Sequence, residues 1–98
     1  MFIHVVLMSF KPGTGEAFHR RVEAYASEIR QQSPGLARYV YGENEADRSG
    51  GFTHAVVACF SDKAAHERYQ VSAIHQDMKA FMAVRTERLL VFDSDRWE

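Results

Sequence analysis

The chain has 98 residues, a formal net charge of −1 and 46% hydrophobic residues, including seven Phe and four Tyr, which excludes a disordered chain. It has neither the Lys/Arg runs of a nucleic-acid binder nor the roughly 18 consecutive apolar residues of a membrane span, so binding to nucleic acid and insertion into a membrane are not expected. Because it lacks a signal-peptide pattern and has one cysteine, we expect a single cytoplasmic domain over residues 1–98.

The first half of the chain predicts a strand, a helix and a second strand. Residues 2–10 are β-branched and apolar on both faces, which is typical of a strand that is covered on both sides. Residues 11–14 end this strand, and Thr14 is predicted to open a helix that Pro34 and Gly35 end. The apolar stripe of that helix consists of Phe18, Val22, Tyr25 and Ile29. Residues 36–45 form the second predicted strand.

The second half predicts a strand over residues 52–60, two short helical segments and a closing strand over residues 88–93. Ser61 and Asp62 supply an N-cap for the first segment, which extends through about Tyr69. The second segment is marked by apolar residues at helical spacing, namely Ile74, Met78, Phe81 and Met82. The order βαββαβ predicts an α+β, ferredoxin-like fold with both helical layers on one face of the sheet.

The other face of this sheet is predicted to be apolar. It carries Ile3, Val5, Leu7, Thr53, Ala55, Val57, Leu89 and Val91, or the set that alternates with them. Such a face is too apolar to leave in water, and two sheets packed face to face would bury it. The pattern therefore predicts a homodimer formed through the open sheet face, with Trp97 as a candidate for covering a subunit edge.

Three of the five histidines, His4, His54 and His75, fall on predicted apolar faces. Tyr69 precedes His75 by six residues across a helix break, so both side chains can face one cavity between helix and sheet. Imidazole transfers protons near neutral pH, and a Tyr hydroxyl can donate to a carbonyl that becomes an enolate. The predicted apolar lining of this cavity, suited to a small apolar or aromatic ligand, is Val6, Met8, Val56 and Met78. Histidines that merely bond to backbone in the core are the alternative.

Other candidate sites are weaker. His19 and His66 have charged neighbours and are predicted to be solvated surface residues. Three histidines suit an open zinc site, but no metal is expected because no His-x-His, His-Glu-x-x-His or acidic partner stands at ligand spacing. Cys59 alternates with Ala55 and Val57 and is predicted to be a buried, inert thiol. Because no nucleophile elbow or nucleotide-binding glycine motif is present, no cofactor is expected.

Four segments resemble the stress-responsive dimeric A/B barrel (Dabb) family: IHVVLMSFKPG, PGLARYVYGEN, GGFTHAVVACFSD and RLLVFD. They occur in order and at matching spacing, and the resemblance covers about residues 2–93. It implies a ferredoxin-like subunit and a dimeric α/β barrel that forms through the sheets. Most members of this family have no established activity.

One plant branch of the family, olivetolic acid cyclase, closes a linear polyketide-CoA by aldol condensation. This chain is similar at its pocket positions, which the resemblance assigns to His4, His54, Tyr69 and His75. The resemblance implies that His75 is the base and that Tyr69 assists it. The chain departs from the family's His-Pro-x-His pattern, since Ser72 and Ala73 stand where the first His and the Pro are usual. Three functions stay open: a cofactor-free cyclase, lyase or isomerase, a non-catalytic stress or ligand-binding protein, and a cofactor-independent monooxygenase.

Overall fold

The computed structural model describes residues 1–95, which form four strands and three helices. The strands are β1 (Phe2–Phe10), β2 (Leu36–Glu43), β3 (His54–Phe60) and β4 (Thr86–Ser94). The helices are α1 (Glu16–Gln32), α2 (Lys63–Val71) and α3 (Ala73–Ala83). Because α2 and α3 together take the place of the second helix, the predicted α+β, ferredoxin-like βαββαβ fold is confirmed. Trp97 lies outside the described residues.

The strands form one antiparallel sheet in the order β2-β3-β1-β4, and the helices pack on one face of it. Helix α1 lies against β2 and α3, whereas α2 lies against β1 and β3. Val22 and Ile29 of the predicted α1 stripe are fully buried at the centre of the core together with Ala26, whereas Phe18 and Tyr25 are partly buried. Strand β4, at the sheet edge, packs mainly against β1. Among residues 1–95, no helix is both long and apolar enough to cross a membrane.

The element boundaries differ from the predicted ones by a few residues. Thr14 does not cap the first helix, because its hydroxyl donates to the Lys11 carbonyl and accepts from Arg85. Helix α1 therefore begins at Glu16, with Gly15 as its N-cap. The predicted N-cap at Asp62 is confirmed, since its carboxylate accepts from the backbone N–H of Ala65 at 2.8 Å.

The outer face of the sheet is apolar as predicted, but the residues that β4 contributes to it were wrongly assigned. Leu90 pairs with Leu7, and Phe92 pairs with Val5, so Leu90 and Phe92 share the outer face with β1. Leu89 and Val91 point to the helix side instead. Both alternating sets of β4 are apolar, so periodicity alone does not choose between them, and the pairing register with β1 decides.

Candidate functional site

A cavity of about 700 Å³, partly open to solvent, lies between the inner face of the sheet and helices α2 and α3. All four predicted apolar lining residues contact it: Val6, Met8, Val56 and Met78. Leu89 and Val91 of β4 add to this wall. The volume and the mostly apolar wall suit a small organic molecule, since such sites typically occupy roughly 300–1,000 Å³.

The wall of the cavity contains a pair of buried tyrosines. The hydroxyls of Tyr39 and Tyr69 are 2.8 Å apart and share a hydrogen bond, and the two side chains are 2% and 3% exposed. Burial raises the pKa of Tyr39 to about 12, and it also raises the pKa of Tyr69 well above its usual range. Both phenols therefore stay protonated at neutral pH and can act as hydrogen-bond donors. Tyr39 was not predicted as a site residue.

His75 lies beside Tyr69 because Ser72 sets the angle between α2 and α3. The Ser72 hydroxyl donates to the Tyr69 carbonyl at 2.7 Å and accepts from the His75 backbone N–H at 3.3 Å. Ser72 thus ends α2 and caps α3, and it does so at the position where the family's first His is missing. The Tyr69 and His75 rings lie with centroids 4.4 Å apart. No hydrogen bond joins these two side chains within the described part of the chain, because the Tyr69 hydroxyl bonds to Tyr39 instead.

The hydrogen bonds of His75 fix which of its nitrogens carries the proton. Nδ1 lies 3.1 Å from the Gln70 carbonyl oxygen, and a carbonyl only accepts, so Nδ1–H is the donor. In the neutral ring this leaves the lone pair on Nε2. Burial, followed by the charges of His4 and Lys79, lowers the pKa of His75, while the Gln70 bond raises it in part. At neutral pH the imidazole is therefore an uncharged base.

A second cluster in the same cavity joins His4, His66 and Asp93. His4 Nδ1 donates to Asp93 Oδ1 at 2.5 Å, and His66 Nε2 lies 3.3 Å from the same His4 nitrogen. Gln70 Nε2 lies 2.9 Å from His66 Nε2. Burial, and then the charge of His4, lowers the pKa of His66. The prediction that His66 is a solvated surface residue is wrong, because only 7% of it is exposed.

His54 does not line the cavity that holds His4, Tyr69 and His75, contrary to the expectation that it shares this cavity. His54 pairs with Met8 and therefore lies four residues along the sheet from Ala58, the partner of His4. Its ring stacks on His19 with centroids 4.3 Å apart, and His19 in turn bonds to the Tyr41 hydroxyl at 2.8 Å. His19 is thus only half exposed and belongs to a separate aromatic cluster, contrary to its predicted solvated position.

Cys59 lies on the same sheet face as Ala55 and Val57, as its alternation with them predicts, but it is less buried than predicted. It pairs with Ile3 on the outer face of the sheet and is half-buried rather than fully buried. A thiol at that position lies on the opposite side of the sheet from the cavity, so it takes no part in the candidate site.

Residues 2–95 match the model of the family described as the stress responsive A/B barrel domain (Dabb). The chain belongs to this family. A search of curated proteins finds no match. The match spans every described strand and helix, so the Dabb pattern and the observed fold agree along the whole domain.

Solved structures support the fold of this Dabb domain. A hydroxynitrile lyase from Passiflora edulis is 19% identical with a TM-score of 0.85, over 99% of this chain and 94% of that one. A dimeric ferredoxin-like protein of unknown function from Thermobifida fusca is 19% identical with a TM-score of 0.83, over 96% and 89%. A Dabb family protein from Mesorhizobium loti is 18% identical with a TM-score of 0.79, over 99% and 97%.

Sequence signals for the missed site residues exist in two of three cases. His66 precedes Tyr69 by three residues, a spacing that places both on the same side of a helix. Asp93 alternates with Val91 along β4, so it shares the inner face once the register is known. Tyr39 carries no comparable signal. It lies on the edge strand β2, and Tyr69 lies on α2, which begins 20 residues after β2 ends, so their contact depends on the tertiary fold.

Proposed function

We propose that this Dabb domain is a cofactor-free proton-transfer enzyme that acts on a small apolar or aromatic carbonyl compound. His75 abstracts the acidic proton next to the carbonyl, and Tyr69 donates a hydrogen bond to the carbonyl oxygen. Aldol cyclisation, lyase and isomerase reactions all begin with this step, and a β-keto substrate needs only a positioned base and oxyanion support for it. The observation that carries the proposal is the His75–Gln70 hydrogen bond, because it leaves a basic nitrogen free in an apolar cavity.

The base is suited to the step in two respects. The Nε2 lone pair of His75 is not used by the Gln70 bond, and the lowered pKa keeps the ring neutral at physiological pH. After abstraction the proton resides on Nε2, and the enolate negative charge lies on the former carbonyl oxygen. The proton then returns to carbon, or to an oxygen of the product, as the reaction class requires.

The tyrosine pair supplies the oxyanion support. When Tyr39 donates to Tyr69, the Tyr69 hydroxyl proton becomes available for the oxygen of a ligand. Since burial raises the pKa of both phenols, neither competes with His75 as a base. A donor that points to the developing negative charge stabilises the transition state more than the ground state.

The similar pocket positions of olivetolic acid cyclase support this function at His4, Tyr69 and His75. The hydroxynitrile lyase with a similar fold supports it further, since that protein is an enzyme of the lyase class. A monooxygenase receives no specific support from the cavity. A non-catalytic ligand-binding protein remains the second candidate, because the Tyr69 hydroxyl already has a partner in Tyr39.

The test is enzyme-dependent exchange of carbon-bound hydrogen in D₂O, with aryl methyl ketones and aromatic β-keto thioesters as probes. Deuterium incorporation above the buffer rate is followed by mass spectrometry. We expect the native chain to accelerate exchange and His75→Gln to abolish the acceleration, since loss of a general base typically costs about 10²–10⁴-fold. His19→Gln is the matched control, because it removes an imidazole that lies outside the cavity.

Binding of the same probes, measured by calorimetry, separates the two candidates. A native chain that binds a probe without exchanging its hydrogens would support the ligand-binding protein and refute the enzyme. Equal exchange by the native chain and a folded His75→Gln variant would also refute the role of His75. Circular dichroism and thermal unfolding establish that each variant is folded.

We also propose that a second copy of the chain covers the outer face of the sheet. Leu90 and Phe92 of β4 and Val57 of β3 lie exposed there, and Phe92 is 60% exposed. An apolar face formed by residues on neighbouring strands favours a face-to-face partner. The Thermobifida fusca protein is described as dimeric, which supports the same arrangement in this chain.

A further inference from the structure

The cluster of His4, His66 and Asp93 contains three metal-ligating side chains whose donor atoms all lie within 4.8 Å of one another. His4 comes from β1, His66 from α2 and Asp93 from β4, so the fold brings them together from distant parts of the sequence. Neither the family match nor the proton-transfer step accounts for this convergence, since His66 and Asp93 take no part in that step.

The hydrogen bonds of the cluster leave an excess of lone pairs. The single proton on His4 Nδ1 is bonded to Asp93 Oδ1, and His66 Nε2 approaches the same proton from 3.3 Å. The Gln70 amide is the neighbour that donates to His66 Nε2, so this nitrogen also carries a lone pair rather than a proton. Three electron-pair donors therefore surround one position that a single proton occupies.

We propose that His4 Nδ1, His66 Nε2 and Asp93 Oδ1 form a binding site for a divalent transition-metal ion of the zinc class. Two imidazoles and one carboxylate are a donor set that zinc takes in open sites, with a further position left for water or a ligand oxygen. On binding, the His4 proton moves from Nδ1 to Nε2, so the imidazole stays neutral while Nδ1 becomes a ligand.

The donor separations, all within 4.8 Å, approach those that this ion requires. Zinc bonds of roughly 2.0–2.1 Å in a tetrahedral site place neighbouring donors about 3.3 Å apart. The two histidine nitrogens already have this separation. The His4–Asp93 distance of 2.5 Å must open by about 0.8 Å to reach it, the difference between 3.3 and 2.5 Å. Asp93 can make this movement because its carboxylate is partly exposed on an edge strand.

Packing holds the His66 ring in the orientation that the site needs. Phe2 stacks on it with centroids 4.5 Å apart, and Phe60 meets its edge at 5.3 Å. His66 and Asp93 line both the main cavity and a neighbouring surface depression, so an ion can reach the cluster from solvent. The acidic side chain of Glu67 also borders that depression and favours the approach of a cation.

The test uses Co²⁺ as a spectroscopic probe on the purified 98-residue chain. We expect one Co²⁺ per chain to bind with the intense visible d–d bands of a four-coordinate ion and to be displaced by Zn²⁺. His66→Phe keeps the aromatic packing but removes the ligand nitrogen. Loss of a partner outside the first coordination sphere typically weakens binding about 10–100-fold, so loss of this ligand is expected to weaken it at least about 100-fold.

Two further variants make the result decisive. Asp93→Asn changes a partly exposed side chain that tolerates substitution, so it tests the site even if His66→Phe fails to fold. His19→Phe removes a histidine from the separate aromatic cluster and is expected to leave Co²⁺ affinity unchanged. The proposal is overturned if no saturable d–d bands develop, if His66→Phe and Asp93→Asn bind like the native chain, or if His19→Phe abolishes binding. Because binding is read out without substrate, this result is independent of the proposed proton transfer.

Discussion

The hydrogen bond between Tyr39 and Tyr69 gives a quantitative test of the cavity wall. Tyr39→Phe removes one hydroxyl and leaves the aromatic packing in place, so the Tyr69 hydroxyl loses its partner at 2.8 Å. The side chains are 2% and 3% exposed, so water reaches the pair poorly. Among the described residues, the other hydrogen-bond partner of the Tyr39 hydroxyl is Met78 Sδ at 3.8 Å, and a bond to sulfur at that distance is too weak to replace Tyr69.

The expected magnitude follows from the orphaned hydroxyl. A buried donor or acceptor without a partner costs about 1–3 kcal/mol, whereas removal of both partners is close to neutral. Tyr39→Phe is therefore expected to lower the free energy of unfolding by about 1–3 kcal/mol. The double variant Tyr39→Phe/Tyr69→Phe should cost less than the sum of the two single variants, with a coupling energy of about 1 kcal/mol.

Urea denaturation of the four chains of this cycle, followed by circular dichroism, measures the coupling. In a domain of this size each 1 kcal/mol shifts Tm by roughly 4–8 °C, so thermal unfolding gives an independent estimate. Tyr25→Phe is the matched control, because its hydroxyl bonds to the exposed Arg21 and its loss should cost less than about 0.5 kcal/mol. Additive costs for Tyr39 and Tyr69, or a Tyr39→Phe variant as stable as the native chain, would show that water satisfies each hydroxyl separately and would refute the reasoning.

Three other predictions follow from the same structure. Gly35→Ala should lower the free energy of unfolding by at least about 2 kcal/mol, because φ is +80° and an added Cβ would lie 2.7 Å from the Ala65 Cβ. Gly42→Ala is the control, since a Cβ added there meets no atom within 4 Å. Chemical denaturation compares the stability of the two variants. His75 should titrate below 6.5 by NMR, because burial lowers its pKa. As pH falls from about 6.5 through the folded pKa, the unfolded chain binds the proton first, so the His75 contribution to stability is lost. A His75→Gln chain should therefore lose less stability over this pH range. Phe92→Asp should convert a dimer into monomers in sedimentation velocity, and an unchanged sedimentation coefficient would place the subunit contact elsewhere.

The apolar patterns of the sequence predicted the order of the elements because they are local. The stripe of α1 and the N-cap at Asp62 depend on residues within a few positions of each other, and both were predicted correctly. The residues of β4 that face outward were not predicted correctly, because Leu89 and Leu90 begin two alternating sets that are equally apolar. Only pairing with β1 assigns one set to the cavity and the other to the outer face.

The same distinction applies to the candidate site. Tyr69 and His75 were predicted together because six residues and one helix break separate them, and the Ser72 cap fixes that local geometry. The sequence by itself thus determined the fold class, the helix faces and this pair. Tertiary structure alone decided that His54 lies outside the cavity and that Asp93 lies within it. Strand register and helix-on-sheet packing set these positions, and both depend on contacts between residues far apart in the chain.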